Sequence, residues 1–437
     1  MGTAEPAPET AAFAASVRTV VREWGRIGCI GFGGPPAHIA LLRKLCVANR
    51  GWMTAAEFED AIAACNLLPG PASTQLAIFC AWRVRGRLGA LAGGAAFIVP
   101  GLIVILALSA LFLAGAPPTW VRGAGAGAGS AVAAVAVQAG WSLLVPSWQR
   151  ASSAASPARR RKARWAGYVL AGGVAAATIG SWLVLVLLGC GLAELAIRRR
   201  SGQRAVFQPD VGSPDELPPR AADAVPLALV LAKPGLLAKP GLLAKGALLG
   251  KTAAGAAVGA AVFGSIAWVA LKVGGLSFGG GFVIIPLMQA DAVGRHWMTN
   301  AQFLNAVALG QVTPGPVVQT VAAVGYAASG ISGGLLASLV AFTPSFVIVL
   351  AGARYFDAIR TGGKPQAFLD GSGPAAIGAI LGSAYLLARA LSQPWQFAIL
   401  AAAVLLLLVV RRGVVLTLAC AAAAGVIIVF GGGPLPG

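Results

Sequence analysis

Two short stretches carry the residues best suited to hold an anion. One is Pro69-Gly70-Pro71 followed by Ser73, Thr74 and Gln75; the other is Pro314-Gly315-Pro316 followed by Gln319 and Thr320. Proline disfavours helix at the residue before it, so Leu68 and Thr313 are expected to leave any helix that precedes them. Pro71 and Pro316 can restart a helix at its first position, where no N–H is needed. A helix starting there presents unpaired N–H groups and the positive end of its dipole, which together receive anions. The hydroxyl and amide side chains that follow add further polar groups at once.

Two glycine-rich stretches extend the pattern: Gly31-Phe32-Gly33-Gly34-Pro35 and Ser277-Phe278-Gly279-Gly280-Gly281. Glycines there let backbone approach an ion or another helix. Close helix packing through small residues is the competing reading. Its weight falls because each glycine stretch is followed by its own Pro-Gly-Pro. One basic residue precedes each phenylalanine by six, Arg26 before Phe32 and Lys272 before Phe278. Lys272 lies in an apolar setting, where a charge is expensive and usually functional. The pair reads as counter-charges for an anion, against snorkelling to the interface. Fourteen acids are present, and none is expected mid-span in an apolar run. His38 is therefore the best candidate for proton coupling, with Asp291 a lesser one; the competing reading makes each a loop residue.

These residues need helices to position them, and the helices come as two copies. The phenylalanines are offset by 246 (278 − 32), and Trp52 and Trp297, like Pro69 and Pro314, by 245 (297 − 52; 314 − 69). Thr54-x-x-Glu57 and Thr299-x-x-Gln302 are capping boxes, which predict helix starts at both threonines. Each helix then runs about four turns into its Pro-Gly-Pro.

Composition places these elements in a membrane. The chain has 437 residues, 57% hydrophobic and 11% charged, where a soluble domain carries about 25% charged. The segments 88–114, 123–145, 165–197, 253–276, 331–351 and 395–430 are each long enough to cross a bilayer, which takes about 20 residues. Arg411-Arg412 should split the last into two, and a polar break near 178–181 should split the third. Long unbroken apolar runs exclude a barrel. The expected fold is an all-α polytopic membrane protein of about 10–13 spans, in two homologous repeats with broken helices. Residues 1–11 read as a polar tail, 12–197 as the N-terminal repeat, 198–250 as a basic linker and 251–437 as the C-terminal repeat. Residues 12–27 form a basic amphipathic helix, at the inner surface or leading into the first span. The six cysteines read as small core residues, and two histidines cannot build a metal site alone. No cofactor is expected. No secretory leader is expected either, since residues 1–27 are too charged.

A net charge of +19 does not imply nucleic acid, because the basic run Arg159-Arg160-Arg161-Lys162 sits between apolar spans, where inner-face loops are rich in Lys and Arg. The bias switches sides between repeats. Arg83, Arg85 and Arg87 precede the first long span, whereas 328–332 carries no charge; Arg150, Arg159, Arg160, Arg161, Lys162 and Arg164 have only Arg389 as counterpart. The positive-inside rule then puts the repeats in opposite orientations, the inverted-repeat logic of secondary transporters. Inversion needs an odd crossing, expected from a linker helix within 241–263.

The residues Phe32-Gly33-Gly34-Pro35-x-Ala-His38, Leu68-Pro69-Gly70-Pro71, Phe278-Gly279-Gly280-Gly281 and Pro314-Gly315-Pro316 resemble the chromate ion transporter family, in its long two-repeat form. The resemblance covers nearly the whole chain except the linker. It implies efflux of chromate across the bacterial inner membrane, giving chromate resistance. A sulfate or molybdate carrier of the same architecture is the first alternative. A membrane-embedded redox enzyme is another, though a flavin, haem or metal motif for it is missing; a non-transporting scaffold is a third. Partners are then the oxyanion, the lipid bilayer and a second copy in a homo-oligomer. The expected mechanism is export of a dianion driven by an inside-negative potential, with Arg26 and Lys272 balancing its charge.

Overall fold

The capping boxes, helix breaks and glycines named above recur as matched backbone features in the structure. A computed structural model describes residues 15–113, 117–152, 158–179, 182–200, 250–277, 283–352 and 363–436. Every regular element among them is helical. The first repeat supplies α1 (Val17–Ile30), α2 (Pro35–Arg43), α3 (Ala55–Leu67), α4 (Ala72–Phe112), α5 (Thr119–Ser152), α6 (Ala158–Thr178) and α7 (Leu183–Arg200). The second supplies α8 (Gly250–Leu276), α9 (Ile284–Gly294), α10 (Asn300–Val312), α11 (Thr320–Gly352), α12 (Gly363–Arg389), α13 (Pro394–Val404) and α14 (Val414–Phe430). The described residues up to 200 and from 262 onward belong to one compact unit. Of residues 203–261, which cluster apart, only the start of α8 is described. The linker-helix expectation falls partly on 241–249, outside the described residues; 250–263 are simply the first half of α8.

Both capping boxes form. Thr54 N–H donates to the Glu57 carboxylate at 2.8 Å, and Thr299 N–H to the Gln302 side chain at 2.9 Å. Leu68 (φ −87°, ψ 147°) and Thr313 (φ −81°, ψ 145°) are extended, as a following proline requires. Gly70 and Gly315 adopt φ +116° and +90°, which glycine alone takes without strain. Pro71 and Pro316 cap the next helical turn instead of occupying its first position, one residue from expectation. In the second repeat that turn is the 3-10 segment Val317–Gln319, which leads into α11.

The chain then turns back instead of continuing across. Segments 55–67 and 72–84 are each about 20 Å long, so a continuous helix would separate their far ends by about 40 Å. Yet Arg83 pairs with Glu57 at 3.0 Å, which brings those ends together. The result is a re-entrant hairpin with Pro69-Gly70-Pro71 at its tip. A second kink follows at Arg85-Gly86 (Gly86 φ 60°, ψ −151°), matched by Ser329-Gly330 (Gly330 φ 62°, ψ −152°). Past each kink a crossing segment begins, 87–112 in α4 and 331–352 in α11.

α1 and α2 make another hairpin. Arg50, beyond α2, pairs with Glu23 of α1 at 2.7 Å, and Trp52 stacks on Trp24 at 6.1 Å. α1 is amphipathic as expected and packs one face inward: Val20 and Trp24 are fully buried, and Trp24 donates to the Ala77 carbonyl at 2.8 Å. In the second repeat α8 and α9 are tied by Arg295 to Ser265 at 3.1 Å and by Lys272 to Asp291.

The two crossing segments run antiparallel. Gly94 faces Phe346 and Gly334 faces Leu106; a Cβ at those glycines would lie 2.5 and 2.4 Å from these side chains. The remaining helices exchange partners: α5 packs on α13 and α14, while α12 packs on α6 and α7. Small residues permit this, as where a Cβ on Gly127 would stand 2.1 Å from the Ala421 carbonyl. Five helices among the described residues are long and apolar enough to cross a membrane. Three shorter apolar helices accompany them, two of them the halves of 395–430, which breaks at Arg411-Arg412 as expected. The expected break near 178–181 separates α6 from α7. Leu88, Ile103, Ile331, Leu339 and Ile427 are exposed, as lipid-facing side chains are.

Candidate oxyanion site at the hairpin tips

The hairpin tips meet one another inside the protein. Gly31, at the end of α1, accepts a hydrogen bond from Gly315 N–H at 3.0 Å, joining the first tip of one repeat to the second tip of the other. An added Cβ on Gly34 would stand 3.5 Å from Val317. Reciprocally, a Cβ on Gly70 would lie 3.3 Å from both the Gly274 carbonyl and Ser345 Oγ. Gln319 donates its amide N–H to the Ile98 carbonyl, and Pro314 O approaches Gly101 so closely that a Cβ there would be 2.1 Å away. Gly101 and Ser345 each lie 14 residues beyond the start of their crossing segments (101 − 87; 345 − 331), about 21 Å along. That distance is comparable to half the thickness of a 40–45 Å bilayer.

Burial is nearly complete there. Ser73, Thr74, Gln75, Gln319 and Thr320 are 0–3% exposed. Thr74 Oγ1, Gln75 Oε1, Ser277 Oγ, Gln319 Oε1 and Ser345 Oγ are buried without a hydrogen-bond partner. Orphaned buried polar atoms are costly, about 1–3 kcal/mol each, and their gathering at one place points to a ligand. The glutamine orientations follow from their partners. Gln75 Nε2 donates to Pro69 O at 2.6 Å and Gln319 Nε2 to Ile98 O, which leaves both Oε1 atoms as unpaired acceptors. His38 is buried in α2 and is not a loop residue. Its Nε2 stands 2.9 Å from Gly31 O, its Nδ1 3.3 Å from Ser73 Oγ, and its ring meets Phe97 edge-on.

The structure thus brings together Pro69, Gly70, Pro71, Ser73, Thr74 and Gln75 with Pro314, Gly315, Pro316, Gln319 and Thr320. Gly33 (φ +97°) and Gly34 (φ +73°) form the bend before α2, and Phe32 is 44% exposed. Phe278, Gly279 and Gly280 lie outside the described residues. The two cations behave differently from expectation. Arg26 is exposed on α1. Lys272 spends its charge on Asp291, which also sits 3.7 Å from Arg295, and lies over the Trp268 ring. Asp291 is brought there because α9 folds back on α8, which spacing alone does not reveal.

Two cavities lie at opposite ends of α5, one beside Ser147, Arg150 and Ala151 and the other beside Val121, Arg122 and Ala126. One, of about 680 Å³, is lined by Glu59 and Asn66 of α3 and by Arg150, Arg161 and Arg164. The other, of about 500 Å³, is lined by Gln302 and Asn305 of α10 and by Phe112 and Arg122. The first shares a face with Glu57, Arg83 and the C-terminal end of α5; the second lies at Phe112 and the N-terminal end of α5.

Sequence reasoning missed an ion-pair network at the first cavity. Glu194 of α7, 3% exposed, accepts from Arg164 at 2.9 Å, Arg198 at 3.2 Å and Tyr168 at 3.1 Å. Arg198 and Arg161 also reach Asp370 of α12, which couples the repeats. Glu194 lies near the end of the apolar run 165–197 and not mid-span, and its burial there was not foreseen. Arg161, Arg164 and Arg198, flanking that run on both sides, were the available signal.

Broken helices whose tips meet over buried polar atoms, among apolar helices of membrane-crossing length, define a polytopic helical protein of the transporter class. The chain matches the sequence profile of the family described as Chromate transporter over residues 18–195 and 264–426, and it belongs to that family. It is 27% identical over 380 residues to a chromate transport protein of Cupriavidus metallidurans, covering 86% of this chain and 83% of that one. It is 29% identical over 360 residues to a chromate transport protein of Pseudomonas aeruginosa, covering 81% and 77%. An uncharacterized transporter of Methanocaldococcus jannaschii is 24% identical over 341 residues, covering 77% and 75%. No solved structure matches the chain.

Proposed function

We propose that this protein exports chromate across the bacterial inner membrane by alternating access, and thereby confers chromate resistance. The observation that carries the reading is the meeting of hairpin tips from both repeats over buried and unpartnered hydroxyl and amide atoms. The names of the bacterial relatives supply the substrate. The repeats, 12–197 and 251–437 with 198–250 between them, lie inverted in the membrane. The antiparallel crossing segments and the cavities at opposite ends support that arrangement. Rocking of one repeat against the other opens one cavity while closing its counterpart. The Arg-lined cavity faces the cytoplasm, following the positive-inside rule. An inside-negative potential expels net negative charge, at about 2.3 kcal/mol per charge per 100 mV.

Chromate uptake into inside-out vesicles, with the potential set by potassium and valinomycin, tests this. Uptake should rise with inside-positive potential and exceed that of sulfate or molybdate at equal concentration. Absence of chromate uptake alongside robust sulfate uptake would leave the fold and replace the substrate.

A further inference from the structure

The tip site holds no fixed positive charge to match a dianion. None of the described residues that touch one another at the tips is a lysine or arginine, and 278–282 contain no charged residue. Electrostatic self-energy grows with the square of charge, so a dianion costs about four times as much as a monoanion to bring out of water. The side chains also offer more than donors. Gln75 Oε1 and Gln319 Oε1 are unpaired acceptors, which suit a protonated oxygen and repel a bare one.

His38 supplies a matching piece of logic. Its Nε2 faces the Gly31 carbonyl at 2.9 Å, so that nitrogen carries hydrogen. In the neutral ring Nδ1 is then an acceptor, and the Ser73 hydroxyl donates to it. Ser73 is left with no hydrogen for an anion. When Nδ1 gains a proton it donates to Ser73 Oγ, and the serine hydroxyl turns to the oxyanion. The elements packed on His38 contribute the Gly31 carbonyl from α1, Ser73 and Phe97 from α4; none of these titrates. The charged residues on or just beyond α2 are Arg43, paired with Glu59, and Lys44, both toward its far end.

We propose that the site takes a tetrahedral oxyanion together with one proton, shared between His38, Ser73 and the oxyanion, so that one net negative charge crosses per turnover. The proposal rests on the transport reading above and adds its stoichiometry. The proton enters with the anion and leaves with it, and no bond other than that to the proton is made or broken.

The test is the potential at which net chromate flux vanishes in proteoliposomes of the full chain, at equal pH on both sides. One net charge balances a tenfold chromate gradient at about 59 mV, and two balance it at about 30 mV. The proposal expects the first value, and the second overturns it while leaving chromate transport intact. No flux at any potential would instead remove the transport reading and this proposal with it. His38→Gln keeps a donor for Gly31 and an acceptor for Ser73 but takes up no proton; flux at pH 7 should fall at least tenfold with its pH dependence flattened. A correctly folded His38→Gln protein with wild-type flux and pH profile would overturn the proposal. If that variant does not fold, the wild-type reversal potential decides alone.

Discussion

The two repeats share a backbone and differ in chemistry. Capping boxes, extended residues before proline, positive-φ glycines and kinks recur at offsets of 244 to 245, from Thr54 and Thr299 to Gly86 and Gly330 (299 − 54; 330 − 86). Several polar side chains at matched places do not recur. His38 and Ser73 correspond to Ile284 and Val318, and the Thr74-Gln75 pair is reversed as Gln319-Thr320. The hairpin of α3 is closed by Glu57 and Arg83, whose counterparts are Gln302 and Ala327. The backbone is therefore matched between the repeats, while His38 and Ser73 stand in the first repeat without a polar counterpart in the second. That division suits a carrier, which needs two equivalent conformations but only one site.

The comparison breaks hardest where one repeat presses on the other. Gly101→Leu should abolish transport, by at least about 100-fold, because Pro314 O leaves no room for a Cβ. The matched position already holds Ser345, so Ser345→Ala should be mild; flux in vesicles measures both. Next comes the network found on one side only. Arg164→Met leaves Glu194 buried with reduced compensation and should destabilise by about 3–5 kcal/mol, seen as a lower melting temperature in detergent. Lys272→Gln should behave likewise on a smaller scale, with several-fold lower flux from an Asp291 left with Arg295 alone. The double variant Lys272→Gln, Asp291→Asn should recover most of it. Failure of the double variant to recover would return Lys272 to the substrate.

Smaller effects test the symmetry itself. Thr54→Ala and Thr299→Ala should each cost about 1 kcal/mol, equally, as matched caps should. Only the first repeat's hairpin should respond to acid. The Thr54 amide, and then the Arg83 guanidinium, hold the Glu57 carboxyl below its ordinary value. A lowered folded-state value stabilises above the unfolded value, and that stability is lost as pH falls through the folded one. The pair is largely exposed, so the loss should stay under about 1 kcal/mol. It should vanish in Glu57→Gln, which copies the second repeat.

Local structure was legible wherever proline, glycine or a capping threonine sets the backbone. The helix starts at Ala55 and Asn300, the breaks at Leu68 and Thr313, and the splits near 178–181 and at Arg411-Arg412 all follow from residue type. What spacing could not show is direction after a break. A Pro-Gly-Pro reads alike whether the chain continues or folds back, and only the Glu57–Arg83 contact decides. The same limit hid Asp291 from Lys272, nineteen residues apart in sequence but adjacent across a hairpin. Glu194 was hidden by its apolar surroundings, because the arginines that stabilise it lie on α6 and at the end of α7.

The central claim is that two vestibules serve one site by turns. Single cysteines at Ala63 on α3 and Ala301 on α10, in a chain whose native cysteines are replaced, would report on each. Side-specific thiol labelling of these reporters, with and without saturating chromate, is the direct measurement. The account predicts opposite changes, one reporter becoming more reactive as the other becomes less so. Parallel changes at both, or none at either, would contradict it.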